Sequence, residues 1–155
     1  MKKTTKKSNI GQSVAEITIE DYSDEILKEL SDAVETALLS IGEEAVRHAV
    51  KNVPVDTGLL KNSLTYALDG QPTSITTYKA DKGNATGSYS GTMPPESGNN
   101  RSVSVGSNVS YALAVETNAR AKHEVGGAHF LKNALANHTD EYEKTLRAAL
   151  EAAKG

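Results

Sequence analysis

The chain has 155 residues, a formal net charge of −3 and no cysteine, with 37% hydrophobic but only 5% aromatic residues. This length predicts one compact domain, and the missing cysteines exclude a disulfide framework and any thiolate metal site. No apolar run approaches the roughly eighteen residues of a membrane span, and a mildly acidic domain is not one that grips nucleic acid as a whole.

Residues 1–12 are polar, carry Lys2, Lys3, Lys6 and Lys7, and show no periodicity. No apolar segment of the signal-peptide kind follows them, and four lysines without aromatics favour a flexible, solubilising arm over a nucleic-acid contact. In residues 14–20, Ala15, Ile17 and Ile19 alternate with Glu16, Thr18 and Glu20, the pattern of a half-buried strand. Residues 21–24 form a turn in which Ser23 or Asp24 can cap a helix. From about 24 to 52, Leu27, Leu30, Val34, Ala37, Leu38, Ile41, Ala45 and Ala49 recur at steps of three and four, which predicts a long amphipathic helix. His48 stands one residue off that stripe and reads as a surface histidine.

Pro54 ends the helix, because it offers no N–H and drives Val53 towards extended backbone. Asp56 or Thr57 can then cap freed N–H groups, and Gly58 permits a tight turn. Pro54, Asp56, Thr57, Gly58, Leu60 and Ser63 thus form a structural corner between helix and sheet. Residues 63–68 read as a strand with Leu64, Tyr66 and Leu68 on one side. Asp69-Gly70 signals a turn, and residues 73–78 are its expected hairpin partner. Residues 81–101 are rich in Gly, Ser, Asn and Pro and read as a long variable loop, of a kind that is either disordered or functional, folding on contact with a partner being the functional option. Val103 and Val105 mark a short strand. Residues 109–117 read as a short helix capped by Ser107 or Asn108 and stopped by a left-handed Asn118. From Ala128 the positions Leu131, Ala134, Leu135, His138, Tyr142, Leu146, Ala149 and Ala153 predict a last long helix. Gly126 and Gly127 free the backbone ahead of it, and Phe130 with Leu131 anchors it in the core or in a neighbouring subunit.

The expectation is an α+β domain over residues 13–155, a small, mainly antiparallel sheet packed against two long helices plus a short one. With one Phe and no Trp, its core must be built from Leu, Val, Ile and Ala. Burial against copies of itself follows naturally from so thin a core.

Two chemical readings compete. Asp56-Thr57-Gly58 spells the motif of aspartic proteases, whose chemistry needs two carboxylates sharing a proton and hence a symmetric homodimer. Such proteases are almost wholly β-structured, whereas this motif follows a helical pattern and a proline. His123, Glu124, His129 and His138 could be combined into a metal site, but adjacent loop residues and histidines nine apart lack ligand spacing. No catalytic, cofactor-binding or metal residue is therefore assigned. A cytoplasmic protein-interaction module would share the same α+β pattern.

Three pieces occur in order: Val53-Pro54-Val55-Asp56-Thr57-Gly58-Leu59-Leu60-Lys61-Asn62-Ser63; residues 105–112 with Val115-Glu116; and Gly126-Gly127-Ala128-His129-Phe130-Leu131-Lys132-Asn133-Ala134-Leu135. With them the chain, from about 14 to 153, resembles the gene-product-ten-like tail-component family of long-tailed bacteriophages, which act as tail-completion or head–tail joining proteins. The resemblance implies a non-enzymatic virion protein without cofactors. It also implies a homo-oligomeric, hexameric ring between connector and tail-tube proteins, with DNA passing through the lumen unbound. Tyr111, Glu116, Gly126, Gly127, His129, Phe130 and Leu131 are its inter-subunit or core anchors. Asn118 stands where the family usually has glycine.

Overall fold

The helix expected from 24 to 52 forms as α1 (Ser23–Asn52), 30 residues and thus about 45 Å long. Asp24 and Glu25 occupy its first turn and Lys51 its last, each sign matched to the local end of the helix dipole. In this computed structural model the described residues are 2–10, 13–21, 23–69, 71–72, 76–89 and 101–155, with backbone alone for 2–10, 13–21 and 71–72. Among them no helix is long and apolar enough to cross a membrane.

The amino-terminal segment forms a hairpin of β1 (Lys2–Ile10) and β2 (Ser13–Asp21). Residues expected to be an aperiodic arm are therefore strand, because ladder bonds need only backbone groups. The register sets Lys2 opposite Asp21, Lys3 opposite Glu20, Lys6 opposite Ile17 and Lys7 opposite Glu16. The expected burial of Ala15, Ile17 and Ile19 lies outside the described side chains.

After α1 come α2 (Leu59–Ser63), β3 (Thr65–Leu68), β4 (Gln71–Pro72), β5 (Thr77–Lys79), β6 (Thr86–Ser88) and β7 (Val103–Gly106). The helices α3 (Ala112–Thr117), α4 (Phe130–Ala136) and α5 (Thr139–Ala153) complete the chain. A three-stranded antiparallel sheet runs in the order β4-β3-β7, while β5 and β6 pair separately. This corrects two expectations. The strand predicted from Ser63 begins at Thr65, since Ser63 closes α2. Its hairpin partner is Gln71–Pro72, and Thr77 and Tyr78 belong to the other sheet; residues 73–75 lie outside the described residues. Part of the expected loop, Thr86–Ser88, is strand, and 90–100 also lies outside the described residues.

Both the three-stranded sheet and the carboxy-terminal helices pack on α1. The buried residues of α1 are Ala37, Ile41, Gly42, Ala45 and Ala49, all small but one. Small side chains let neighbouring elements approach closely. At Gly42 an added Cβ would stand 2.6 Å from the Tyr66 ring and 2.7 Å from Val103 Cγ2. Arg101 reinforces this seat, reaching Glu35 on α1 at 2.8 Å and Asp69 at the end of β3 at 3.0 Å. The sheet covers only part of the rod, however. Leu27 and Leu30, read from sequence as core, are 62% and 38% exposed, and Ile26 beside them is 60% exposed.

The fold is thus α+β, but with one long helix. The last rod breaks at Asn137 and His138 into α4 and α5. Thr139 Oγ1 donates back towards the Leu135 and Ala136 carbonyls, and Tyr142 Oη donates to the Ala134 carbonyl at 2.7 Å. Asn, His and Thr gain little from continuing a helix and compete for its backbone groups, so the chain turns there. No residue of α5 is fully buried.

Gly42→Val should lower stability by about 1–3 kcal/mol through overpacking, although replacing a mid-helix glycine ordinarily gains up to about 1 kcal/mol. Urea unfolding measures this, and a variant as stable as the parent would show that the sheet is not seated on α1 at that point.

Candidate functional site

The corner begins where α1 stops. Val53 N–H makes the last helical bond, to the Ala49 carbonyl at 2.9 Å, and its side chain is fully buried. Pro54 is half-buried, and Val55 and Asp56 are exposed. Gly58 leads α2 in the left-handed region, φ 83°, with no side-chain cap. The expected Asp56 cap therefore does not form, because the tight turn at Gly58 leaves that carboxylate outside. Thr57 Oγ1 lies 3.5 Å from the Leu59 nitrogen, a long contact at best.

What holds the corner is the segment after β5. The Thr57 carbonyl accepts from the N–H groups of Asp81 and Lys82, at 2.8 and 3.0 Å. The Asp81 carboxylate in turn takes Lys61 Nζ at 2.7 Å and Asn62 Nδ2 at 2.8 Å. Lys61, then Asn62, holds the Asp81 carboxyl below its ordinary pKa. Gly58 faces this carboxylate, so a Cβ there would collide with it. On the inner side Leu60 and Ser63 are buried. Ser63 Oγ donates to the Leu60 carbonyl at 2.7 Å and meets Ser107 Oγ, which accepts the Val109 N–H. Tyr89 Oη donates to the Ser63 carbonyl at 2.8 Å and accepts from the Asn108 N–H at 3.0 Å. Burial pushes this phenol's pKa up, which keeps it a donor.

The third piece meets the first from behind. Gly127 N–H donates to the Asn52 carbonyl at the end of α1, at 3.0 Å. Gly126, at φ 75°, approaches so closely that a Cβ would stand 2.5 Å from the Val53 carbonyl carbon. His129 is also left-handed, φ 61°, and leads α4. Its N–H donates to the Glu116 carbonyl at 2.8 Å, and the Glu116 carboxylate receives the N–H groups of Leu131 and Lys132, both at 3.0 Å. Glu116 is thus the cap of α4, supplied from α3. Sequence reading marked it only as an anchor, since a cap 15 residues away leaves no local signal.

Phe130, left open between core and neighbour, is fully buried in this chain's own core with Val53, Leu60, Leu64, Val109, Ala112 and Ala134. Leu131 packs half-buried against that cluster, and Tyr111 is 42% exposed. All three sequence pieces therefore converge on one core. Asn118 ends α3 at φ −86°, not left-handed, with Oδ1 accepting the Arg120 N–H at 3.2 Å. This side-chain turn needs no glycine. Ser107 braces the backbone before α3, whose first flanking residue, Tyr111, makes no side-chain cap.

A groove of about 570 Å³ opens beside the corner, lined by Val55, Asp56, Thr57, Tyr111, His123 and Glu124 among others. The histidines do not gather there. Among the described residues the group that could hold a cation is His48, His138 and Glu141, of which only His138 belongs to the metal set weighed from the sequence. His48, read as a surface residue, is mostly covered: its ring stacks on His138 with centroids 3.3 Å apart.

The contacts of the corner tie its backbone and side chains to the neighbouring elements: they set the angle between a rod, a sheet and a second helix, which is the work of a structural joint. Comparison with known families agrees with that class. The family described as "Bacteriophage HK97-gp10, putative tail-component" matches residues 17–117, and the chain belongs to it. The matched region holds the corner and α3 but stops short of Gly126. No curated protein and no solved structure gives a significant match.

Glu116→Ala should cost about 1–2 kcal/mol, since it strips two N–H groups of α4 of their acceptor. Asp56→Ala should stay within about 0.5 kcal/mol of the parent. Parallel urea melts decide, and equal losses would reverse the assignment of the cap. Because Asp81 has a lowered folded pKa, its contribution is complete above the unfolded carboxylate pKa and is lost as pH falls through the folded one. Asp81→Asn should therefore flatten the acid limb of a melting-temperature profile; an unchanged limb would remove Asp81 from the clamp.

Proposed function

We propose that this protein is a structural subunit of the phage neck or tail, assembling as a closed ring of six copies at the head–tail interface between connector and tail-tube proteins. Membership of the tail-component family is the observation that carries this reading. On this reading the protein is a virion component synthesised in the host cytoplasm, with no reaction to catalyse.

The surface supports an assembling part. Ile26, Leu27 and Leu30 leave an apolar strip exposed on the free half of α1. Near it, α1 and the end of α5 border an open groove whose floor of Ala33, Ala149, Ala152 and Ala153 is joined by Glu29, Asp32 and Thr36. A ring needs heterologous contacts that close on themselves, each burying about 1,600 Å² in a standard interface. An apolar strip meeting a groove of small residues is the kind of unlike pairing that such closure requires. Val55 and Tyr111, exposed at the corner groove, offer a second contact area. A net charge of −3 suits a lumen that passes DNA without retaining it.

Native mass spectrometry and negative-stain microscopy, with and without connector and tail-tube proteins, test the proposal. Six-membered rings are expected, and Leu27→Asp with Leu30→Asp should abolish them while leaving the monomer's melting temperature near that of the parent. A parent chain that stays monomeric and binds neither neighbour would refute the ring. Rings that survive both substitutions would move the contact away from α1.

A further inference from the structure

We infer that His48, His138 and Glu141 form a binding site for a zinc-class divalent cation, which clamps α5 onto α1 at the break between the last two helices. His48 comes from the last turns of α1, His138 from the residue leading α5, and Glu141 from the first turn of α5. The donor set is two imidazole nitrogens and one carboxylate oxygen, all within 4.8 Å of one another. His138 and Glu141 are three apart, the spacing that puts two side chains on one helix face.

The distances suit a tetrahedral ion. Bonds of about 2.0–2.1 Å place tetrahedral ligand atoms about 3.3 Å apart. His48 Nε2 lies 3.2 Å from Glu141 Oε2, and His138 Nδ1 lies 3.3 Å from Glu141 Oε1. Each imidazole thus already stands at the ligating separation from a carboxylate oxygen, His48 from Oε2 and His138 from Oε1. The separation of the two imidazole nitrogens is set by the ring stack, whose planes diverge by only 13°. Parallel rings cannot aim both lone pairs at one point, so ligation turns the imidazoles out of their stack. Glu141 is half exposed, which leaves the fourth position to water. Two imidazoles favour zinc, cobalt or nickel over magnesium and calcium, which prefer oxygen ligands. Tyr142 closes the inner side, its ring 6.4 Å from each histidine.

This inference does not rest on ring assembly and is tested on the full, tag-free chain after chelation and dialysis. Zn²⁺ is titrated by calorimetry, and Co²⁺ is followed by visible absorption and melting temperature. One ion per chain, tetrahedral cobalt bands and a raised melting temperature are expected. His48→Gln, His138→Gln and Glu141→Gln should each weaken binding at least about tenfold. His123→Ala should bind like the parent. Glu141→Gln changes a half-exposed position without changing its size, so its binding can be read even where a histidine variant folds poorly. Absence of stoichiometric binding overturns the site. So does binding that is indifferent to all three substitutions, which would place the ion on other residues.

Discussion

The end of α1 fixes where almost everything else in this protein can lie. Pro54 forbids another turn, so the last carbonyls of a helix about 45 Å long need donors from elsewhere. Gly127 supplies one to Asn52, and Gly126 can lie against the Val53 carbonyl only because it has no Cβ. That single approach brings the start of α4 to the place where Glu116 can cap it and where Phe130 enters the core. A side chain at Gly126 would thus disturb a helix end, a cap and the largest fully buried residue together.

On the long helix the same economy of volume recurs. Alanines and a glycine line its buried face, and the sheet and α4 come close because so little stands between them. Close approach gives good packing but buries little apolar area per residue, so a chain with one Phe and no Trp ends with a modest core. Apolar surface then remains outside, on the first turns of α1 and at Val55, Leu113 and Val125. For a lone domain this would be a liability; in a member of a tail-component family it is the surface on which the proposed assembly rests.

The break at Asn137 and His138 shows how local chemistry can overrule a periodic pattern. Apolar spacing runs through residues 131–153 without a fault, and a single rod was the natural reading. The signal against it was present in Asn137-His138-Thr139-Asp140-Glu141, a polar run with acids where a new helix would begin. Its consequence, the stacking of His138 on His48 with Glu141 bridging both, could not be read locally, since His48 and Glu141 are 93 residues apart.

Periodicity, proline and glycine were enough to determine the long helix, the corner that ends it and the α+β class, because each is written in neighbouring residues; the family came from the resemblance of three ordered motifs. Tertiary structure alone decided that Leu27 and Leu30 stay uncovered, that Asp56 caps nothing, and that the caps and clamps come from Glu116 and Asp81. These depend on how far the sheet extends along α1 and on which backbone groups remain unpaired once it has docked. No window of neighbouring residues contains that information.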